Sequence, residues 1–190
     1  MNKHSLSALG LSLSLGLSGL AQANSDHLTE ARHLAKQFGG QLQPTLGQAM
    51  KNGGPVNAIG VCQTKAPQIA NELAQTSGWE INRVSLKNRA EKGQADDWET
   101  AVLTRFDQQR AQGADPATLE FAEIVTENGQ SAYRYMKAIA IGEGQPCLHC
   151  HGTSINEPVK QKLAQLYPND QATGYQVGQI RGAFSFKKPL

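Results

Sequence analysis

Leu119-Glu120-Phe121-Ala122-Glu123-Ile124-Val125-Thr126, then Glu127-Asn128-Gly129-Gln130, then Ser131-Ala132-Tyr133-Arg134-Tyr135-Met136-Lys137-Ala138-Ile139-Ala140-Ile141, is the stretch whose reading decides the fold. Asn-Gly is a strong hairpin signal, because both residues accept the positive φ of a two-residue turn. The runs on either side are β-like, and in the second Tyr133, Tyr135, Ile139 and Ile141 share one face. Downstream, Glu157–Leu166 reads as a short helix, and Ile180, Gly182, Phe184 and Phe186 alternate in a last strand. Upstream, Trp79 to Leu86 alternates as a strand and Asn88 to Ala95 is a polar loop. Asp96 with Glu99 forms a helix start, with Trp98, Val102 and Phe106 marking that helix's buried face. Before these, Leu28, Ala31, Ala35 and Phe38 mark an amphipathic helix ending at Gly39-Gly40. Leu42, Leu46, Ala49 and Met50 mark a second, stopped by Gly53-Gly54. Pro55 opens a third, with a stripe of Ala58, Val61, Cys62, Ile69 and Leu73 that Pro67 kinks or divides. Helices first, then strands with helices between them, predict an α+β fold: an antiparallel sheet packed on one side by helices.

The 190 residues carry 18 Lys+Arg against 16 Asp+Glu, so nothing points to nucleic acid. A length near 190 fits one domain. Lys3 and His4 precede an apolar, Ser-diluted run from Leu9 to Leu20, and Ala21-Gln22-Ala23 has the small-x-small form of a signal-peptidase site. The expectation is a signal peptide over 1–23 and a mature domain over 24–190, exported to the periplasm with no stable membrane insertion after cleavage. The alternative is an uncleaved anchor, but the run is short for a span of about 20 apolar residues.

Cys147-Leu148-His149-Cys150-His151 carries the chemistry. Cys-x-x-Cys-His is the c-type haem attachment pattern. Its two thiols add to the haem vinyl groups from one turn of backbone, and the next residue offers its imidazole to the iron. One covalent haem c on Cys147 and Cys150, with His151 as proximal ligand, is the reading. A thioredoxin-like Cys-x-x-Cys belongs early, at a helix after a strand; this one lies late. Structural zinc needs a second ligand pair that Cys62 alone does not supply. A plain Cys147–Cys150 disulfide is the bland alternative. No Met follows Met136, so the sixth ligand lies among Met50, Met136, His27, His33, His149 and Cys62, or the site is open. A lone Cys62 is often just a small buried hydrophobe, yet a free thiol is a liability in an oxidising compartment, and coordination would protect it.

Several stretches occur together in order: Gly54-Pro55-Val56-Asn57-Ala58-Ile59-Gly60-Val61-Cys62, Ala66-Pro67-Gln68-Ile69-Ala70, Arg83-Val84-Ser85-Leu86-Lys87, Asp97-Trp98-Glu99, Pro146 to Gly152, Tyr167-Pro168-Asn169-Asp170 with Gly174-Tyr175, and Gly178-Gln179-Ile180-Arg181-Gly182-Ala183. With them the chain resembles the PAS-like, single-haem c-type domains with Cys/His axial ligation, found as free exported proteins and as sensor regions of bacterial receptors. The resemblance implies a PAS-like antiparallel sheet with N-terminal helices packed around it, His151 as proximal ligand and Cys62 as distal ligand. It departs after Ser-Leu-Lys, where the family often has Arg-Asn-Pro and this chain has Asn88-Arg89-Ala90. That leaves open which of Arg83, Lys87 and Arg89 meets the haem propionates.

The function expected is redox or small-ligand sensing by an exported haem protein, with a diatomic gas on ferrous haem and a separate redox or signalling protein as partner. The alternative is a low-potential periplasmic electron carrier. A cytochrome c′-type helical bundle would also lack a Met ligand, but it would have to explain the hairpin signal at Asn128-Gly129. No Ser/His/Asp order or paired-carboxylate pattern suggests an enzyme.

Overall fold

In the computed structural model, which describes residues 16–190, Asn128 and Gly129 take φ values of 53° and 79°. They join β2 (Glu120–Glu127) to β3 (Gln130–Ala140), with Glu127 paired to Gln130 and Phe121 to Met136. The remaining strands are β1 (Glu80–Val84) and β4 (Ile180–Pro189). All neighbours are antiparallel, in the order β1-β4-β3-β2. The helices are α1 (Gly16–Ser77), α2 (Asp97–Ala111), the one-turn α3 (Leu148–His151) and α4 (Glu157–Leu166). Of the expected signal peptide, residues 1–15 lie outside the described residues. Among the described residues no helix is long and apolar enough to cross a membrane.

α1 is broken once. Gly53 leaves the helical range and Gly54 sits at φ 65°, ψ −165°, a conformation open only to glycine. The break makes a first arm (16–52) and a second arm (55–77), stitched together where Asn57 Nδ2 donates to the Ala49 carbonyl (3.1 Å). The stop expected at Gly39-Gly40 does not occur, and the helix runs through. Phe38 and Leu42 on either side are buried against the sheet, and that packing outweighs the roughly 1 kcal/mol helix penalty of each glycine. The second arm likewise runs through Pro67.

The sheet is covered on both faces, not one. Leu34, Phe38, Ala66, Ile69 and Leu73 of α1 pack with Trp79, Tyr133, Tyr135 and Phe186. On the opposite face Val102, Leu103 and Phe106 of α2 pack with Val84, Met136, Ala138 and Ala183. Arg134, on the α2-facing side of β3, is buried, paired with Asp96 (2.6 Å), Glu127 (3.0 Å) and Glu99 (3.3 Å), and stacked 4.2 Å from the Trp98 ring. Glu99 also accepts from Ser185 Oγ (2.6 Å). The expected capping box of Asp96 and Glu99 opens α2.

β4 carries an irregularity. Ile139 pairs with Gly182, but Ala140 pairs with Ile180, so Arg181 has no partner. This β-bulge turns Ile180 to the α2 face, into the cluster with Val84 and Ala183. Ile180 therefore does not share a face with Phe184 and Phe186, as strict alternation predicts.

One acid-sensitive contact ties α1 to β2. Glu120 accepts from Arg32 Nε (2.9 Å) and from Tyr135 Oη (2.9 Å), and the Arg32 bond holds its carboxyl below the usual range. A depressed folded-state value stabilises above the unfolded value, near 4.3, and that stability is lost as pH falls through the folded value. Arg32 is half exposed, so solvent limits the contribution to roughly 0–1 kcal/mol. Urea midpoints from pH 7 to pH 3 are expected to fall less for Glu120→Gln than for the unsubstituted chain; equal slopes would show that the contact adds nothing.

Candidate cofactor site

The motif residues sit on and beside α3. Cys147 is its N-cap and Cys150 and His151 lie in its single turn, so both thiols occupy one turn of backbone. Cys62, Cys147 and Cys150 are all free thiols, so the disulfide alternative is not realised. Among the described residues no group of three or more His, Cys, Asp or Glu side chains is assembled for a bare metal ion, which gives the zinc reading no site.

α3 is held from three directions. Tyr175 N donates to the His151 carbonyl (2.9 Å) and Gly174 N to the Gly152 carbonyl (3.0 Å). Arg89 donates to the Cys150 carbonyl (2.6 Å) and to Asp170 (3.0 Å); Asp170 in turn accepts from Ala172 N (2.8 Å). Lys87 Nζ donates to the Thr173 carbonyl and lies 4.8 Å from the Tyr175 ring centroid. The loop 170–175 is thus fixed to α3 on one side and to residues 87–89 on the other.

His151 Nδ1 lies 2.7 Å from the Ala172 carbonyl oxygen and 3.1 Å from Arg181 Nε. A carbonyl only accepts, so the proton is on Nδ1, and Nε2 carries the free lone pair. A ligating histidine is set up in this way, its far nitrogen donating to a carbonyl and its near one left bare. Burial, with Arg181 and Arg89 nearby, holds the imidazole well below its ordinary pKa, so it is neutral. The Tyr175 ring stands edge-on to it at 6.3 Å.

The second arm of α1 brings Cys62 to this region. Ile59 packs in a cluster with Cys150, Tyr167 and α4 residues, and Cys62, three residues later, follows on the same helix face. Ile59 and Ala66, which flank it on that stripe, are each 2% exposed, yet Cys62 is only half-buried. Burial pushes the Cys62 thiol up, opposed by the guanidiniums of Arg83, Arg89 and Arg181. Burial also pushes Cys150 up to about 11.

The other sixth-ligand candidates are mostly engaged elsewhere. Met136 is fully buried on the α2 face. His27 packs against Tyr133 and Trp79, His33 is exposed, and His149 donates to the Pro146 carbonyl (3.2 Å). Met50 is half-buried near the end of the first arm. Sequence reasoning missed the Ala172 carbonyl, the Arg89–Asp170 pair and Arg181 as site residues. Only Arg181 left a signal: a glycine beside it inside an alternating strand, which marks a bulge or a close backbone approach.

The residues present suit a haem better than a metal ion: two thiols on one turn, a neutral imidazole with a bare nitrogen, and a third thiol on another helix, near enough to Cys147 and Cys150 to interact with them electrostatically. No curated protein matches the chain. The crystal structure of the cyanobacterial haem protein Tll0287 matches with a TM-score of 0.62 and 24% identity, over 90% of this chain and 95% of that one, which agrees with the α+β, PAS-like fold. The family model described as Tll0287-like spans residues 18–189, and the chain belongs to that family.

Proposed function

We propose that this chain is an exported c-type haem protein, with one haem bonded to Cys147 and Cys150 and ligated by His151 and Cys62, that senses redox state or a small ligand in the periplasm. The observation that carries the reading is the His151 lone pair: the Ala172 carbonyl fixes the proton on Nδ1, one turn of helix away from two free thiols. The cyanobacterial neighbour is itself a haem protein, which supports the same cofactor here. Such a haem supplies a one-electron ferric/ferrous couple and, where an axial position is free, a site for a diatomic gas.

The chain's own residues divide the work. Loop 170–175 and Arg89 hold α3 rigid, so His151 is a fixed ligand. Cys62 rides on a different element, the arm beyond the break in α1 at Gly53-Gly54. In a sensor Cys62 would leave the iron on reduction; a carrier would keep both ligands in place. The state of Cys62 would pass to a separate redox or signalling protein.

Coexpression with a c-type maturation system is expected to give a red protein whose haem survives denaturation and acid-acetone extraction. Freely extracted haem, or a colourless zinc protein, would sink the reading. Carbon monoxide binding readily to the reduced protein supports sensing; a six-coordinate, gas-resistant haem in both oxidation states supports the carrier.

A further inference from the structure

Four basic side chains surround the site, and two of them are already committed. Lys87 donates to Thr173, and Arg89 is paired with Asp170, each side chain about 10% exposed. Arg83 and Arg181 differ. The Arg83 guanidinium makes no hydrogen bond or ion pair among the described residues; it lies 5.5 Å from the Phe38 ring centroid, on the α1-facing side of β1 with Ile81. The Cys62–Ala66–Ile69 stripe of α1 runs over that same side.

Arg181 is equally unspent. Its Nε–H points at His151 Nδ1, 3.1 Å away, but that nitrogen already carries a proton and cannot accept. Its one other acceptor is the Lys87 carbonyl at 3.4 Å. A guanidinium offers five N–H donors, so most of those on Arg181 remain available to a ligand. The bulge explains how Arg181 comes to be there. Regular pairing would place residue 181 on the α2 face with Ala183; skipping it in the ladder re-aims its side chain beside His151 and Tyr175.

We propose that Arg83 and Arg181 form a two-guanidinium clamp for a pair of carboxylates, the two propionates of the haem carried by Cys147, Cys150 and His151. The clamp rests on the haem reading above. Arg89 is neutralised by Asp170 and Lys87 is held by the Thr173 carbonyl, which leaves two guanidiniums free for two anions. Paired guanidinium–carboxylate bonds are short and charge-assisted, and Arg181 would join one propionate to the immediate surroundings of the proximal ligand.

The test uses the haem-loaded full chain with Arg83→Gln, Arg181→Gln, the double variant, and Arg105→Gln on the exposed surface of α2 as a charge control. Haem stain on a denaturing gel reports attachment. Resonance Raman reads the propionate bending bands, which fall in frequency when hydrogen bonds to the carboxylates weaken. Each single variant is expected to keep covalent haem, shift the bands downward and lower the reduction potential, with the shifts summing in the double variant and absent in Arg105→Gln. Should a glutamine variant fail to accumulate, Arg83→Lys and Arg181→Lys keep the charge but lose the fork, and a smaller band shift in the same direction is expected. Unshifted bands in a variant that holds covalent haem overturn the clamp alone. A parent chain without covalent haem overturns the haem reading and the clamp with it.

Discussion

Haem-loaded Cys62→Ser protein is expected to lose a thiolate-type low-spin ferric spectrum and to show a raised reduction potential. Thiolate is a strong donor that favours ferric over ferrous iron, and axial-ligand identity is a main lever on potential. A hydroxyl is a far poorer donor. For a one-electron couple each tenfold loss of ferric preference raises the potential by about 59 mV, so a hundredfold loss reads as about 120 mV. The substitution keeps the side chain's size at a half-buried position, and its effect on folding should be about 1 kcal/mol or less. The spectroscopic change is therefore separable from unfolding, which circular dichroism checks on the same sample. Carbon monoxide should bind the reduced variant at least as readily as the parent, since the arm no longer offers a thiolate. An unchanged ferric absorption and EPR spectrum would remove Cys62 from the ligand set.

Gly182→Ala should be the most damaging single methyl in the sheet. A Cβ there would lie 2.3 Å from the Val84 carbonyl oxygen and 3.2 Å from Ser85 Cβ. The obstacle is backbone, so no rotamer change relieves it, and β1 and β4 must move apart. Forced overpacking of this kind costs about 1–3 kcal/mol, and at this size each kcal/mol lowers Tm by about 2–4 °C. Because Gly182 is next to the bulged Arg181, the haem spectrum should shift along with Tm. Gly39→Ala gives the opposite sign: its Cβ would meet only Phe184 at 3.9 Å, inside a continuous helix, and alanine there should gain about 0.5–1 kcal/mol. Thermal melts of the two variants against the parent decide the point; a Gly182→Ala protein that melts with the parent would show that the strands are free to separate.

The parts of the fold written in the sequence are those fixed by short-range chemistry. Asn128-Gly129 needs only its own φ values to make a hairpin, Asp96 and Glu99 cap α2 within one turn, and Glu157–Leu166 is a helix with the bounds its pattern suggests. The Cys-x-x-Cys-His pattern at residues 147–151 is legible for the same reason, since it is five consecutive residues on and beside one turn of helix. What was not legible depends on partners far away in the chain. Gly39-Gly40 reads as a helix stop until Phe38 and Leu42 are seen buried against the sheet. The lock on the His151 tautomer comes from a main-chain carbonyl, Ala172, and no side-chain identity announces it.

The placement of β4 between β1 and β3 also sets an order of assembly. β1 has no strand partner until residues 180–189 arrive, about a hundred positions later, and pairings of such long sequence separation form slowly. The Cys147–His151 turn precedes that strand, and so do Cys62 and Arg83. Ala172 and Arg181, which orient and flank His151, both come after that turn. Thiol chemistry on residues 147–150 can thus proceed on a chain whose sheet is still open. Docking of the final strand then closes the central gap in the sheet and, in the same event, brings Arg181 to its place beside the histidine.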